Sequence, residues 1–333
     1  MEKVLVTGAS GFIGSFIVEE GLKQGYEVWA AVRGSSSRQY LRDERIRFIE
    51  LDLSSQARLV EQLQGQSFDY VVHAAGVTKC KDKQDFFRVN ADGTRNLVGA
   101  LLQLAMPVKR LVYLSSLSIF GPIREEQPYQ EILDTDSPQP NTAYGESKLQ
   151  AEKALKEMTE GKIPTIILRP TGVYGPREKD YFLMAKSIKG HVDFSVGWKQ
   201  QDITFVYVRD VVQAVYLAFT KGTSGKAYFL SDGEVYQSSA FSDLIIREMG
   251  YPWCLRVKAP LWVLRVATFF GEWLGRLTGK VTALNNDKYH ILSQRNWRCD
   301  ITPARRELGY DPQWQLERGV KETINWYQQE GWL

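Results

Sequence analysis

An α/β fold built on a doubly wound parallel sheet, followed by a smaller and mostly helical C-terminal portion, is predicted by three observations. Short β-branched runs alternate with longer helical stretches through the first half of the chain. The first of these runs, KVLV, passes directly into a glycine-rich turn and then a helix. Past about residue 232 the alternation fades into helical, tryptophan-rich sequence. Right-handed crossovers then put helices on both faces of the sheet and a ligand crevice at the carboxyl ends of its strands.

Taken in order, the expected strands are 3–8, 27–33, 46–51, 69–74, 109–115 and 163–169. Helices are expected near 12–24, 55–64, 85–105 and 143–160, while 121–142 and 176–202 read as irregular. Apolar residues make up 44% of the 333 and charged residues 24%, enough for a sizeable core and too ordered a composition for a disordered chain. The net charge of +3, with no basic run longer than Lys109-Arg110 or Arg305-Arg306, argues against a nucleic-acid partner. Cys80, Cys254 and Cys299 are odd in number and far apart, which fits a reduced compartment. His73, His191 and His290 show no metal spacing, so no metal is expected. With Val4 reached after three residues, no signal peptide is read, and a cytoplasmic protein is expected.

The turn after the first strand reads Thr7-Gly8-Ala9-Ser10-Gly11-Phe12-Ile13-Gly14. Gly8 permits the tight turn, Gly11 a close approach of backbone to a pyrophosphate, and Gly14 the packing of helix on strand. Amides from Ser10 to Ile13 at the helix start would hold the phosphates. The strand before and the helix after supply the context that such a loop needs, so the domain is read as a Rossmann-type dinucleotide site. It is expected to span 1–175 with 204–230 returning to it, and 176–203 with 231–333 to form the substrate-binding domain. A carboxylate usually ends the second strand of an NAD site. Here the stretch is Val32-Arg33-Gly34-Ser35-Ser36-Ser37-Arg38, without an acid. Arg33 and Arg38 suit a 2′-phosphate, so NADP(H) is the expected cofactor, with NAD(H) the alternative. Asp52 and Leu53 after the third strand suit the adenine, and Ala74, Ala75 and Gly76 after the fourth let the chain run close to the dinucleotide. His73 reads as a hydrogen-bonded structural residue rather than a catalyst.

Tyr144-Gly145-Glu146-Ser147-Lys148 puts a phenol and an ammonium on one helix face. An ammonium about 5 Å from a phenolate, at an effective dielectric of about 20, is worth about 3–4 kcal/mol, which predicts a phenol poised for proton transfer. Ser115-Ser116 closes the fifth strand at the same edge as the glycine loop, where Ser116, with Ser118 nearby, can bond a substrate oxygen.

These motifs resemble those of the extended short-chain dehydrogenase/reductases, the NAD(P)-dependent epimerase/dehydratase superfamily. TGASGFIG is similar to its TGxxGxxG, YGESK to its YxxxK, the run Asn90–Leu97 to its NxxGTxNL, and Leu168–Pro176 to its LRPxxVYGP. The resemblance implies Tyr144 as acid–base, Lys148 as ribose anchor, Ser116 as substrate ligand, and Pro170 and Val173 beside the nicotinamide. It also implies a homodimer through the two long helices 85–105 and 143–160. The role of Asn90 stays open between catalysis and a tie between backbone segments.

Nucleotide-sugar members carry an arginine for the diphosphate about where Ile203 stands in Asp202–Asp210. Val32-Arg33 and the tail around Trp297–Asp300 are instead similar to dihydroflavonol-reductase-like and 3β-hydroxysteroid-dehydrogenase-like members. The expected activity is therefore an NADP(H)-preferring oxidoreductase on a ketone or secondary alcohol of an apolar molecule, sterol-like or a long-chain keto compound such as 3-ketosphinganine. A nucleotide-sugar epimerase or dehydratase with tightly bound NAD is the second reading, and a cofactor-binding scaffold the third. The segment 259–277 reads as a helix with an apolar arc far wider than one core contact needs. Arg265, Thr268, Glu272 and Arg276 mark its polar stripe, the last two spaced to pair. Its first reading is a helix packed into the C-terminal portion; lining an apolar substrate and touching a membrane surface are the others.

Overall fold

The structure is a computed structural model that describes residues 1–278 and 286–333, the side chains of 272–278 excepted. In chain order the strands are β1 (Lys3–Thr7), β2 (Glu27–Val32), β3 (Arg47–Glu50), β4 (Tyr70–His73), β5 (Arg110–Leu114), β6 (Thr165–Pro170) and β7 (Gly172–Tyr174). They continue as β8 (Val192–Val196), β9 (Asp202–Ile203), β10 (Phe205–Tyr207), β11 (Ala227–Leu230), β12 (Tyr236–Gln237) and β13 (Leu255–Ala259). The helices are α1 (Phe12–Lys23), α2 (Gln56–Leu63), α3 (Lys83–Phe86), α4 (Gly93–Gln103), α5 (Ala143–Thr159) and α6 (Asp180–Lys189). After them come α7 (Val208–Thr220), α8 (Ala240–Glu248), α9 (Leu261–Thr278), α10 (Asn286–Ser293) and α11 (Leu316–Gln329).

Seven parallel strands form the main sheet in the order β11-β6-β5-β4-β1-β2-β3. This is the doubly wound parallel sheet that the strand–helix alternation predicts. The order reverses between β1 and β4, the switch point at whose carboxyl ends a doubly wound sheet places its ligand site. Alternation along β1 shows how both faces are covered. Val4 and Val6 pack with Ile17 of α1 on one side, and Leu5 packs with Leu59 of α2 and Leu97 of α4 on the other. The first of these buried clusters continues into the C-terminal portion, through Tyr310, Leu316, Val320, Ile324 and Tyr327.

Three segments differ from the sequence expectation. The region 176–202, read as irregular, contains α6 and β8, because Ala185 and Ile188 give α6 a buried edge amid lysines. Within the expected helix 85–105, a π-helical stretch (Phe87–Asp92) joins α3 to α4 and carries Asn90. Such single-turn insertions re-aim side chains and cluster at functional sites.

The third difference is α9, which is not buried in the C-terminal portion. Leu264 and Thr268 face inward, while Trp262, Val266, Phe269 and Phe270 are exposed. Thr268, expected on the solvated stripe, is turned in and donates to the Arg265 carbonyl at 3.0 Å. The Glu272 and Arg276 side chains lie outside the described residues. Among those described, no helix is long and apolar enough to cross a membrane.

Candidate active site

The glycine loop sits at the switch between β1 and β4. Gly8 has a φ of +68°, and a Cβ there would meet the Ala75 amide nitrogen at 2.6 Å, so only glycine fits against Ala74 and Ala75. A Cβ on Gly14 would collide with the Gly8 carbonyl, which is how α1 comes to lie so close to β1. Gly11 donates its amide to the Gly8 carbonyl at 2.9 Å and caps α1 without any side-chain acceptor, leaving the amides of Phe12 and Ile13 for another acceptor. The cradle therefore fits a pyrophosphate. Phe12 begins α1 and packs edge-on against Phe16. Ile13 packs at the margin of the core.

Tyr144 and Lys148 both lie in the first turns of α5, and Ser116 lies just beyond β5. Burial pushes the Tyr144 phenol up, and a hydrogen bond with the Ser116 hydroxyl works against that rise. The Ser116 Oγ also donates to Ser118 Oγ at 3.1 Å and accepts from the Ser118 amide at 3.1 Å. Lys148 is buried; its Nζ donates to the Leu114 carbonyl at 2.7 Å and lies 4.7 Å from the Tyr113 ring centre. Burial draws the Lys148 ammonium down to about 8, with the Glu152 carboxylate pulling the other way. The depressed phenol predicted from the Tyr–Lys spacing is thus not what the structure has. The ammonium is committed to Leu114, and desolvation dominates at Tyr144.

Asn90 ties three segments together. Its Oδ1 accepts from the Val77 amide at 2.8 Å, and its Nδ2 donates to the Val77 carbonyl at 3.1 Å and to Ser147 Oγ at 2.9 Å. It joins the loop after β4 to the helix that carries Tyr144. A Cβ on Gly76 would lie 3.3 Å from Lys148 Nζ, so this loop runs directly beside the ammonium. His73 is buried between Thr7 (Nδ1 to Oγ1, 2.7 Å) and Thr94 (Nε2 to Oγ1, 3.0 Å), and burial with the Lys148 charge takes it down to about 3. It is held neutral by that surrounding.

At the end of β2, Arg33 is exposed and Arg38 stacks on Phe48 at 4.3 Å. The sequence reading found no acid there, yet the carboxylate of Glu50, at the end of the neighbouring β3, accepts from the Gly34 amide at 3.1 Å. The parallel pairing of Val32 with Glu50 brings it in, a register that no local motif announces. Asp52 spends its carboxylate on Ser54 (2.6 Å to Oγ) and Arg58 (2.7 Å), and these bonds hold it below the usual carboxylate range. Leu53 packs toward Gly93 of α4. Pro170 ends β6, and Val173 lies in β7 opposite Val206.

Two further carboxylates bear on α5. Glu152, one turn beyond Lys148, is clamped by Arg169 of β6 at 2.6 and 3.0 Å, and the pair is buried. Asp287 of α10 accepts from the Ala143 amide at 3.2 Å and the Tyr144 amide at 3.3 Å, capping the helix from 143 positions downstream. The first was legible as an acid four residues after Lys148; the second had no sequence signal.

Arg295 and Arg298, which are tied to Asp202 beside Ile203, are already paired, as is Arg124 further along the same network. Arg295 is held by Glu125 at 3.2 Å, Arg298 by the Tyr129 carbonyl at 2.9 Å with Asp202 at 3.7 Å, and Arg124 by Asp136 at 2.6 Å. Arg209 leaves the site altogether, lying 5.5 Å from the Trp314 ring centre and 4.0 Å from Glu322.

A dinucleotide cradle beside a serine, a tyrosine and a lysine defines an NAD(P)-dependent oxidoreductase of the extended short-chain dehydrogenase/reductase type. Residues 4–231 match the model of the NAD dependent epimerase/dehydratase family, and the chain belongs to that family. It is 29% identical to a 3-beta-hydroxysteroid dehydrogenase of Mycolicibacterium neoaurum, covering 98% of this chain and 91% of that one. It is 24% identical to the decarboxylating sterol-4-alpha-carboxylate 3-dehydrogenase of Candida albicans, covering 99% of each. In fold it is similar to the UDP-glucose 4-epimerase of Thermotoga maritima, with a TM-score of 0.80 at 22% identity over 98% of this chain and 99% of that one.

Proposed function

We propose that the protein is an NADP(H)-preferring oxidoreductase that interconverts a ketone and a secondary alcohol on an apolar substrate, sterol-like or a long-chain keto compound such as 3-ketosphinganine. Arg295 and Arg298 beside Ile203 carry this reading: each already has an acid or carbonyl partner, which leaves a nucleotide-sugar diphosphate poorly served. Two relatives named for sterol or steroid dehydrogenation support it.

Gly8, Ser10, Gly11, Phe12, Ile13 and Gly14 would hold the pyrophosphate, Arg33 and Arg38 the 2′-phosphate, and Asp52 and Leu53 the adenine. Ala74, Ala75, Gly76, Pro170 and Val173 would border the nicotinamide end, which supplies or accepts the hydride when bound. In reduction, Ser116 and Tyr144 donate hydrogen bonds to the substrate carbonyl oxygen, with Ser118 orienting the serine. Tyr144 then passes its phenolic proton to that oxygen. Lys148 would bond the ribose and stabilise the phenolate left behind, its ammonium in a buried site where charge–charge attraction is strong. The reading has the enzyme work in the cytoplasm as a homodimer joined through α4 and α5.

Glu50 favours a second reading for the cofactor alone, because a carboxylate at Gly34 suits free ribose hydroxyls and hence NAD(H). Calorimetric titration of cofactor-stripped protein with NADPH and NADH decides between them. Tenfold or tighter NADPH binding is expected, and equal or tighter NADH binding overturns the preference. With apolar ketones, net consumption of the reduced cofactor is expected at 340 nm, abolished in Tyr144→Phe with cofactor affinity retained. Tightly retained NAD with no net consumption would bring the epimerase or dehydratase forward instead.

A further inference from the structure

The parallel ribbon β8–β13 leaves an apolar face uncovered. Its register pairs Val192 with Leu255, Phe194 with Val257 and Val196 with Ala259, so one face of the ribbon is wholly apolar. That face is open: Phe194 is 66% exposed and Leu255 58%; on the opposite face Asp193 is buried, while Ser195, Arg256 and Lys258 are exposed. The chain leaves β13 directly into α9, whose Trp262 (69%), Val266 and Phe269 (67%) recur on one outward face. Trp253 and Trp198 stand exposed beside the two ends of the ribbon, Trp253 next to β13 and stacked on His191, Trp198 next to Gly197, where a side chain would meet Leu261 of α9. Exposed apolar side chains gathered in this way mark an interaction surface.

Charge singles out the partner. Segments 186–199 and 251–271 carry Lys186, Lys189, Lys199, Arg256, Lys258 and Arg265 against one acid, the buried Asp193. Asp243 of α8 neutralises Arg256, and Lys258 lies on the Asp193 side of the ribbon, so Lys186, Lys189, Lys199 and Arg265 give the surroundings of the apolar face their positive balance. Tryptophans and phenylalanines ringed by cations suit the headgroup boundary of an anionic bilayer, where aromatic rings bury a few ångströms deep and lysines reach the phosphates.

We propose that the outer faces of the β8–β13 ribbon and α9 together dock on an anionic phospholipid membrane. The surface adjoins the candidate site: α9 lies against α10, where Arg265 packs on Tyr289, and Asp287 of α10 caps the helix that begins at Ala143. A substrate dissolved in the bilayer would then enter without crossing water. That last step rests on the apolar-substrate reading, whereas the docking does not.

Co-sedimentation with vesicles of phosphatidylglycerol and phosphatidylcholine, or of phosphatidylcholine alone, tests the docking without any substrate. Retention on anionic vesicles is expected, with Trp262→Ser/Phe269→Ser losing it while thermal midpoint and NADPH affinity stay as in the wild type. Replacing Lys189 and Lys199 by Gln should weaken partition roughly thirtyfold, at about 1 kcal/mol per cation. Wild-type protein that stays in the supernatant with anionic vesicles overturns the proposal. So does a dimer in gel filtration that Trp262→Ser/Phe269→Ser converts to monomer, because the face would then be a self-association surface. Loss of ketone reduction with intact vesicle binding would count against the oxidoreductase reading alone.

Discussion

Replacing Glu152 by Gln together with Arg169 by Met asks what sets the charge of Lys148. Side chains four apart on a helix face each other at about 6 Å, and at an effective dielectric of about 20 the Glu152 carboxylate would favour the ammonium by about 3 kcal/mol, or two pK units. Arg169, at 2.6 and 3.0 Å from the same carboxylate, cancels part of that field and leaves about one unit. Both residues are changed because removing Glu152 alone would strand a buried guanidinium, at about 3–5 kcal/mol. Lysine labelled with ¹³C at Cε reports the titration, the Lys148 resonance being the one that vanishes in Lys148→Met. In the wild type its midpoint is expected near the value of about 8 that burial produces. In the double variant it should fall by about one unit, and the alkaline limb of ketone reduction should fall with it. An unmoved or raised midpoint would refute the reasoning and leave the Leu114 carbonyl and desolvation as the controlling influences.

Two stability predictions follow from the same neighbourhood. Gly8→Ala forces a left-handed backbone on alanine, costing about 1–2 kcal/mol before any clash with Ala75. Urea denaturation should show at least that loss alongside greatly weakened NADPH binding, and a loss well under 1 kcal/mol would remove the steric argument for this glycine. His73, at about 3 in the fold against about 6.5 in the unfolded chain, takes up its proton only on unfolding between those values. Its stabilising contribution is present above pH 6.5 and is lost as the pH falls toward 3, at up to about 1.4 kcal/mol per pH unit. Stability measured from pH 7 to 4 should therefore fall less steeply in His73→Gln, and parallel slopes would show that the histidine is not held neutral.

What was legible in the sequence was what is local. The glycine loop, the Tyr144–Lys148 pair and the six leading strands are written in contiguous residues with a fixed spacing, and the helix or strand period makes them readable. Glu50 and Asp287 were not legible, because each reaches the site through a register or a helix cap set by distant chain. The Tyr144 phenol was misjudged because the spacing places Lys148 near it but cannot say that Leu114 claims the ammonium or that burial dominates. The ribbon β8–β13 escaped although VDFSV and LRVKA both alternate, because each strand is only five residues long and its partner lies far along the chain.

The single buried cluster that runs from Val4 to Tyr327 also bears on how this molecule can change over generations. Tyr310, Leu316, Val320 and Ile324 support the same core as Val6 and Ile17, so the C-terminal third cannot be exchanged as a cassette without rebuilding the sheet's own packing. Leu255, Val257, Trp262 and Phe269 stand outside that cluster. Drift in those positions is nearly free for the fold, which makes this surface the place where a descendant could most readily acquire a new address or a new substrate source.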